Sequence, residues 1–301
     1  MSLATTRILL TGSNGQVGHA LRNTLAPLGE VLALDRSRLD LVNADSIRKT
    51  VREYRPTLIV NAAAYTAVDR AESDAELAMT VNGVAPGVLA EEAQRLDAVV
   101  VHYSTDYVFD GSKPAAYVET DTPNPLSVYG RSKLAGEQAT QAACNAHYIL
   151  RTSWVYSAEG ANFLNTILRL AGERPELRIV NDQNGAPTWA QSIAEMTAQL
   201  LTAVLDRPAN PRYGLYHLTA AGAVTWFGFA EAILAAAKKI NPEMTVPRLT
   251  PITTAEYPLP ARRPANSLLN TARLTRTFGI TPAPWQDMLE RCLLEKLSGS
   301  H

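Results

Sequence analysis

The sequence predicts an α/β protein built on a parallel, doubly wound sheet. Short apolar runs rich in β-branched residues alternate with helical patterns through the first half of the chain. The chain opens with strand, glycine turn, helix and strand, the order a parallel βαβ unit requires. The chain has 301 residues, 46% hydrophobic and 19% charged. That is enough to bury a full core in one or two domains.

The first unit carries the most specific signal. RILLT, residues 7–11, reads as a short buried strand. Gly12, Gly15 and Gly18 follow in the pattern G-x-x-G-x-x-G, residues 19–28 read as a helix, and EVLAL, residues 30–34, as a second strand. Asp35 ends that strand, 23 residues after Gly12. Glycines let a backbone turn tightly and approach a pyrophosphate, and a helix N-terminus offers it unpaired N–H groups and a positive dipole end. The whole order is that of a Rossmann-type dinucleotide site. Gly12, Gly15, Gln16, Val17 and Gly18 match its pyrophosphate turn. Asp35 stands where an acid accepts bonds from the adenosine ribose of NADH, and Arg36, the next residue, where an arginine takes the 2′-phosphate of NADPH. The two cues conflict, and both cofactors stay open.

The alternation continues down the chain. Residues 45–54 read as a helix and 58–64 as a strand. Residues 75–96 read as a helix with a break near Pro86. Residues 98–104 read as a strand, 126–143 as a helix and 147–156 as a strand. Beyond residue 157 the pattern loosens, with a helix over 162–174, a strand over 177–183 and a long amphipathic helix over 189–205. The proline-rich stretch 241–270 reads as ordered loops. No internal repeat or low-complexity linker is present.

Tyr129 and Lys133 have the spacing Y-x-x-x-K within the 126–143 helix, and none of the other ten tyrosines has a lysine four residues on. Positions i and i+4 share a helix face. A phenol, with an ordinary pKa of about 10, is made easier to ionise by a nearby cation, and can then exchange a proton with a carbonyl or alcohol oxygen. Thr105 follows the strand at 98–104. On residue type alone, the Tyr–Lys pair also fits a solvated helix face, Thr105 a backbone-capping hydroxyl, and Asp106 a turn residue.

Net charge is −1, which gives no electrostatic case for nucleic-acid binding. Cys144 and Cys292 lie far apart without a C-x-x-C pair. They support neither a zinc site nor a disulfide framework, and read as buried free thiols in a reducing compartment. The five histidines are scattered without metal-ligand spacing. No apolar run reaches membrane-span length and no signal-peptide pattern opens the chain, so the expected location is cytoplasmic, without a membrane partner.

With these signals in hand, five further segments carry a resemblance: NAAAYTAVD (61–69), HYSTDYVFDG (102–111), RTSWVYS (151–157), NDQNGAPT (181–188) and RRPANSLLN (262–270). Together they strongly resemble the extended short-chain dehydrogenase/reductases and, among these, the dTDP-4-dehydrorhamnose reductases. The resemblance covers nearly the whole chain. Its last three segments are specific to that family and its near relatives.

The resemblance implies reduction of the C4 keto group of dTDP-4-dehydro-L-rhamnose to dTDP-L-rhamnose by NADPH or NADH, with NADPH slightly ahead. This is the last step of activated-rhamnose synthesis. Tyr129 is then the proton donor, Lys133 lowers its pKa and holds the nicotinamide ribose, and Thr105 polarises the carbonyl. Asp40 is expected near the adenine, and Ala63, Ala64, Tyr65, Thr66 and Tyr103 in the cofactor crevice. Asp106, Trp154, Asn181, Gln183 and Arg262 are expected on the substrate side, although on residue type Trp154 also fits a core aromatic, and Arg262 and Arg263 solvated charges. A smaller C-terminal substrate-binding domain, mainly 158–301, is expected after a Rossmann domain at 1–157, with about 189–235 returning to the first. Where some relatives carry glutamates that bridge a magnesium ion between subunits, this chain has Ala20 and Gln191. No metal is expected, and the chain is expected as a monomer or weak homodimer.

Two other readings stand beside this one. An epimerase or dehydratase of the same superfamily would keep its nicotinamide bound and regenerate it. The Asp–Glu pair of a dehydratase is absent here, because Tyr107 follows Asp106. A non-catalytic cofactor-binding regulatory subunit would have an altered triad, and Thr105, Tyr129 and Lys133 are all present.

Overall fold

A computed structural model of the protein describes residues 6–206 and 211–298. The first half alternates as expected: β1 (Arg7–Thr11), α1 (Gln16–Leu25), β2 (Glu30–Leu34), α2 (Ala44–Tyr54), β3 (Leu58–Asn61), α3 (Ala75–Met79), α4 (Ala85–Arg95), β4 (Val99–Thr105), α5 (Val128–Ala143) and β5 (His147–Thr152). Later come β6 (Val155–Tyr156), α6 (Phe163–Glu173), β7 (Glu176–Val180), β8 (Asn184–Gly185), β9 (Thr188–Trp189), α7 (Ala190–Asp206), β10 (Gly214–His217), β11 (Val224–Thr225), α8 (Trp226–Ile240), β12 (Arg248–Ile252), α9 (Ala272–Phe278) and α10 (Trp285–Ser298).

Six strands form one sheet in the order β2-β1-β3-β4-β5-β10, with every pairing parallel. Both faces are covered, which explains why the strands read as continuous apolar runs. Ile8, Leu10, Val60 and Val101 join the core cluster that holds α1 and α7, while Leu9, Ile59 and Val100 join the one that holds α2 and α4. This is the two-residue period of a strand written across three neighbours. The chain leaves β1 for β2 on one side and β3 on the other. The carboxyl ends of β1 and β3 therefore flank a topological switch point, the place where open α/β sheets form a crevice.

Four expected elements differ in form. The helix at 75–96 is interrupted by a π turn at Thr80–Val84, and Pro86 sits in the first turn of α4. Proline there needs no N–H partner, so the break falls just before it. The strand at 58–64 ends at Asn61, where the chain bends to meet the glycine turn. The strand at 147–156 splits after Thr152, because Trp154 takes a left-handed conformation (φ 47°) and β6 then pairs with β9 instead of the main sheet. The proline-rich stretch contains β12, parallel to β7 in a two-stranded sheet. Pro251 is tolerated there because an edge strand need not donate on its outer side.

Candidate active site

The site is built at the switch point, from the glycine turn upward. Gly12 has φ 69°, and a Cβ on it would lie 2.6 Å from Ala63 Cα. A Cβ on Gly18 would lie 2.0 Å from the Gly12 carbonyl oxygen. Only glycine lets the turn, the segment after β3 and the first turn of α1 approach this closely. Gly15 donates its N–H to the Gly12 carbonyl at 2.9 Å and serves as N-cap of α1. Neither a side-chain cap nor an acidic residue occupies that helix end, so its N–H groups and positive dipole end stay available to an anion. Gln16 accepts from Ser157 at 2.8 Å and Asn162 at 3.1 Å, tying the turn to the chain after β6, and Val17 packs into the core.

At the end of β2 the two cofactor cues separate. Asp35 Oδ1 accepts from the Ser37 hydroxyl at 2.6 Å and from the backbone N–H groups of Ser37 and Arg38, and Oδ2 accepts from Asn14 at 2.7 Å. The Ser37 hydroxyl is the largest influence holding this carboxyl below its ordinary range. Arg36 is exposed and bonds no described protein group. Asp40 is exposed and accepts from Val42 N–H at 3.1 Å, closing its own turn.

Thr105, the last residue of β4, lies close enough to Tyr129 to favour the ionised phenol. Burial outweighs it, and the Tyr129 pKa is pushed up to about 12. This is opposite to the direction expected from the Lys133 spacing. The reason is where Lys133 points: its Nζ donates to the Tyr103 carbonyl at 2.6 Å and lies 3.4 Å from His102 Nε2. Lys133 is only 2% exposed, and burial brings its own pKa down to about 8, against the Glu137 carboxylate, which raises it. The Tyr107 ring meets the Tyr129 ring edge-on at 5.7 Å.

Tyr103 also differs from expectation. Its ring is buried in the core and its hydroxyl bonds Thr197 of α7 at 2.7 Å, so only its carbonyl reaches the site. Ala63 lines the glycine turn and Ala64 follows it. Tyr65 is held at its backbone N–H and carbonyl by the Asn82 amide, at 2.8 and 3.0 Å, and Thr66 is exposed beside it.

Several residues of the site have no role that the sequence alone assigns. Thr11 Oγ1 donates to Asn61 Oδ1 at 2.6 Å, and Asn61 Nδ2 lies 3.0 Å from His102 Nδ1. These three are direct cross-strand partners on β1, β3 and β4, so one polar row runs beneath the crevice to Lys133. Burial, then the Lys133 charge, keeps His102 neutral by pushing its pKa well down. Asn82, in the π turn, also bonds Ser132 of α5 at 3.0 Å. Its signal was the break before Pro86, since π turns cluster at functional sites.

On the other side lies a cleft of about 840 Å³, lined by Phe163, Arg178, Gln183, Trp226, Tyr257, Arg262 and Arg263 among others. Trp226, not Trp154, lines it. Trp154 stacks on Trp226 with ring centroids 3.5 Å apart. Gln183 is committed to Thr254 and Trp226, at 2.9 and 3.2 Å. Asn181 is outside the lining and accepts from Thr225 at 2.7 Å. Asp106, 1% exposed, sits between Thr105 and Ser267.

Ala20 is buried on α1 and Gln191 bonds Glu195 on α7. Among the described residues no group of three or more His, Cys, Asp or Glu side chains is placed to hold a metal ion, and no helix is long and apolar enough to cross a membrane. Cys144 and Cys292 are buried free thiols, and burial raises the pKa of both.

The chain is similar to known proteins over nearly its full length. The family model described as RmlD substrate binding domain matches residues 6–298. A dTDP-4-dehydrorhamnose reductase of Burkholderia thailandensis is 49% identical over 296 residues, covering 97% of this chain and 99% of that protein. The Escherichia coli K12 protein of the same name is 46% identical, covering 96% and 97%. The solved structure of the Bacillus anthracis dTDP-4-dehydrorhamnose reductase, in complex with NADP, is 36% identical, with a TM-score of 0.86 over 96% of this chain and 99% of that one. By this similarity over nearly its whole length, the chain belongs to the dTDP-4-dehydrorhamnose reductase family.

Proposed function

We propose that this protein reduces the C4 keto group of dTDP-4-dehydro-L-rhamnose to give dTDP-L-rhamnose, using NADPH or NADH. What supports the reading is the Thr105 hydroxyl beside the Tyr129 phenol, with Lys133 one helical turn on, in a chain that also carries an open glycine turn and an arginine-bearing cleft. The glycine turn and the uncapped end of α1 fit a dinucleotide pyrophosphate. The nicotinamide, when bound, supplies the hydride.

Tyr129 donates a proton to the substrate oxygen. Its high pKa keeps the proton in place until negative charge develops on that oxygen. Lys133, anchored by the Tyr103 carbonyl, binds the nicotinamide ribose, and its charge offsets the phenolate that Tyr129 becomes. Thr105 donates to the same oxygen and so polarises the carbonyl. Arg36 takes the 2′-phosphate of NADPH, a role favoured by the commitment of Asp35 to its own turn. Arg262 binds the diphosphate, and Trp226 lies against the nucleotide.

The reading divides the chain into a cofactor part, roughly 1–157 with the later elements that complete its sheet, and a mainly C-terminal substrate part. It places the enzyme in the cytoplasm, where its buried thiols stay reduced, as a monomer or weak homodimer.

The test is the loss of reduced-nicotinamide absorbance with dTDP-4-dehydro-L-rhamnose, NADPH and NADH compared in parallel, with Tyr129→Phe as control. Rapid oxidation that falls by about 10²–10⁴ in the variant supports the reading. Cofactor binding without oxidation sinks it.

A further inference from the structure

Thr105 has a single hydroxyl proton, and its neighbour decides where that proton points. Thr105 Oγ1 accepts the Tyr107 backbone N–H at 3.2 Å and lies 3.0 Å from Asp106 Oδ1. An ionised carboxylate can only accept. While Asp106 is charged, the Thr105 proton is therefore committed to Oδ1 and none remains for a substrate oxygen. A neutral carboxyl reverses this contact. It donates to Thr105 Oγ1 and frees the Thr105 proton for the crevice.

The surroundings of Asp106 favour the neutral form. The residue is 1% exposed, and its second oxygen, Oδ2, is buried without a partner. A buried carboxylate oxygen left unpaired is costly, while a protonated carboxyl is much less so. The groups facing it are Thr105 on β4, Tyr107 in the following turn, Tyr129 on α5 and Ser267 in the C-terminal segment, with Arg263 and Asp69 beyond Tyr107. None of the cations pairs with it. Burial pushes the carboxyl up to about 6, against the nearby Ser267 and Thr105 hydroxyls and the backbone N–H groups of Asp106 and Tyr107, which lower it. A substrate that excludes water from the crevice moves it further in the same direction.

We propose that Asp106 is a positioning residue that works as a neutral acid, donating to Thr105 Oγ1 so that Thr105 can donate to the substrate carbonyl oxygen. The proposal rests on the reductase reading above. Asp106 keeps its proton through the cycle, and the proton delivered to product comes from Tyr129.

The test is kcat/KM against pH for the full-length enzyme and for Asp106→Asn, whose amide donates to Thr105 without titrating. Wild type is expected to lose about tenfold per pH unit above the Asp106 titration. Asp106→Asn is expected to lack that limb and to be the faster enzyme on its high-pH side, a gain that a purely structural role does not produce. A variant slower than wild type at every pH, or one with the limb unmoved, overturns the proposal. If Asp106→Asn does not fold, Ser267→Ala decides: removing a hydroxyl that lowers the Asp106 pKa moves the limb to higher pH, and an unmoved limb overturns the proposal. Wild type without turnover at any pH is a separate result, which sinks the reductase reading. Infrared spectra then still test the carboxyl: the protonated C=O stretch lost in Asp106→Asn supports a neutral Asp106, and no such difference overturns it.

Discussion

Arg263 and Asp69 grip each other, with Arg263 Nη2 2.6 Å from Asp69 Oδ2 although the two lie 194 positions apart in the sequence. Arg263 Nη1 reaches the other carboxylate oxygen at 2.9 Å, and Asp69 also accepts the Ala261 N–H. This one pair fixes the C-terminal segment that lines the cleft to the loop that follows β3.

Removing the pair should loosen substrate binding more than chemistry. Asp69→Asn is expected to raise KM for the nucleotide sugar about tenfold, the equivalent of one charge-assisted bond of roughly 1.5 kcal/mol, with a smaller change in kcat. The Arg263 bond is the largest influence holding the Asp69 carboxyl below its ordinary range. A lowered folded-state pKa stabilises above the unfolded value and loses that contribution as pH falls through the folded one. The melting-temperature gap between wild type and Asp69→Asn should therefore shrink as pH drops below about 4. A constant gap would argue against the pair as its source.

Arg36 should matter to one cofactor and not the other. Arg36→Ala is expected to weaken NADPH by about tenfold, the loss of one charge-assisted contact, and leave NADH nearly unchanged. Fluorescence titration of both reduced cofactors reads this directly. Equal losses would mean that Arg36 does not meet the 2′-phosphate.

The close approach at the glycine turn leaves no room for a methyl group. Gly18→Ala puts a Cβ 2.0 Å from the Gly12 carbonyl oxygen, so the turn must shift. Overpacking of this kind costs about 1–3 kcal/mol, and a displaced turn should abolish dinucleotide binding. Thermal unfolding and cofactor titration separate the two effects.

Glu137 and Arg151 form a two-pronged ion pair, at 2.8 and 2.6 Å, with side chains only 2% and 3% exposed. Breaking a buried pair leaves an uncompensated charge and costs about 3–5 kcal/mol. Glu137→Gln should lower the urea midpoint accordingly. Because the Glu137 charge raises the Lys133 pKa, the variant should also lose the Lys133 proton at lower pH, seen as an earlier alkaline fall in cofactor binding.

The legible parts of this protein are those whose physics is local. A glycine turn needs only residues that tolerate its backbone, so Gly12, Gly15 and Gly18 were readable. So were the sheet strands, whose apolar runs record burial on both faces, and the shared helix face of Tyr129 and Lys133, which follows from four-residue spacing. The roles attached to those residues came from family resemblance, because spacing alone also fits a solvated helix.

What the sequence determined by itself was the order of elements, the glycine turn and the shared helix face of Tyr129 and Lys133, each written in the spacing of neighbouring residues. Only the tertiary structure decided that Thr11, Asn61 and His102 form one row, that Lys133 turns to the Tyr103 carbonyl while burial raises Tyr129, and that Trp226 lines the cleft in front of its partner Trp154. It also decided that Asp106 is buried with its second oxygen unpartnered. Each of these depends on which strands are neighbours and how much water they exclude, and such long-range contacts leave no period in the chain.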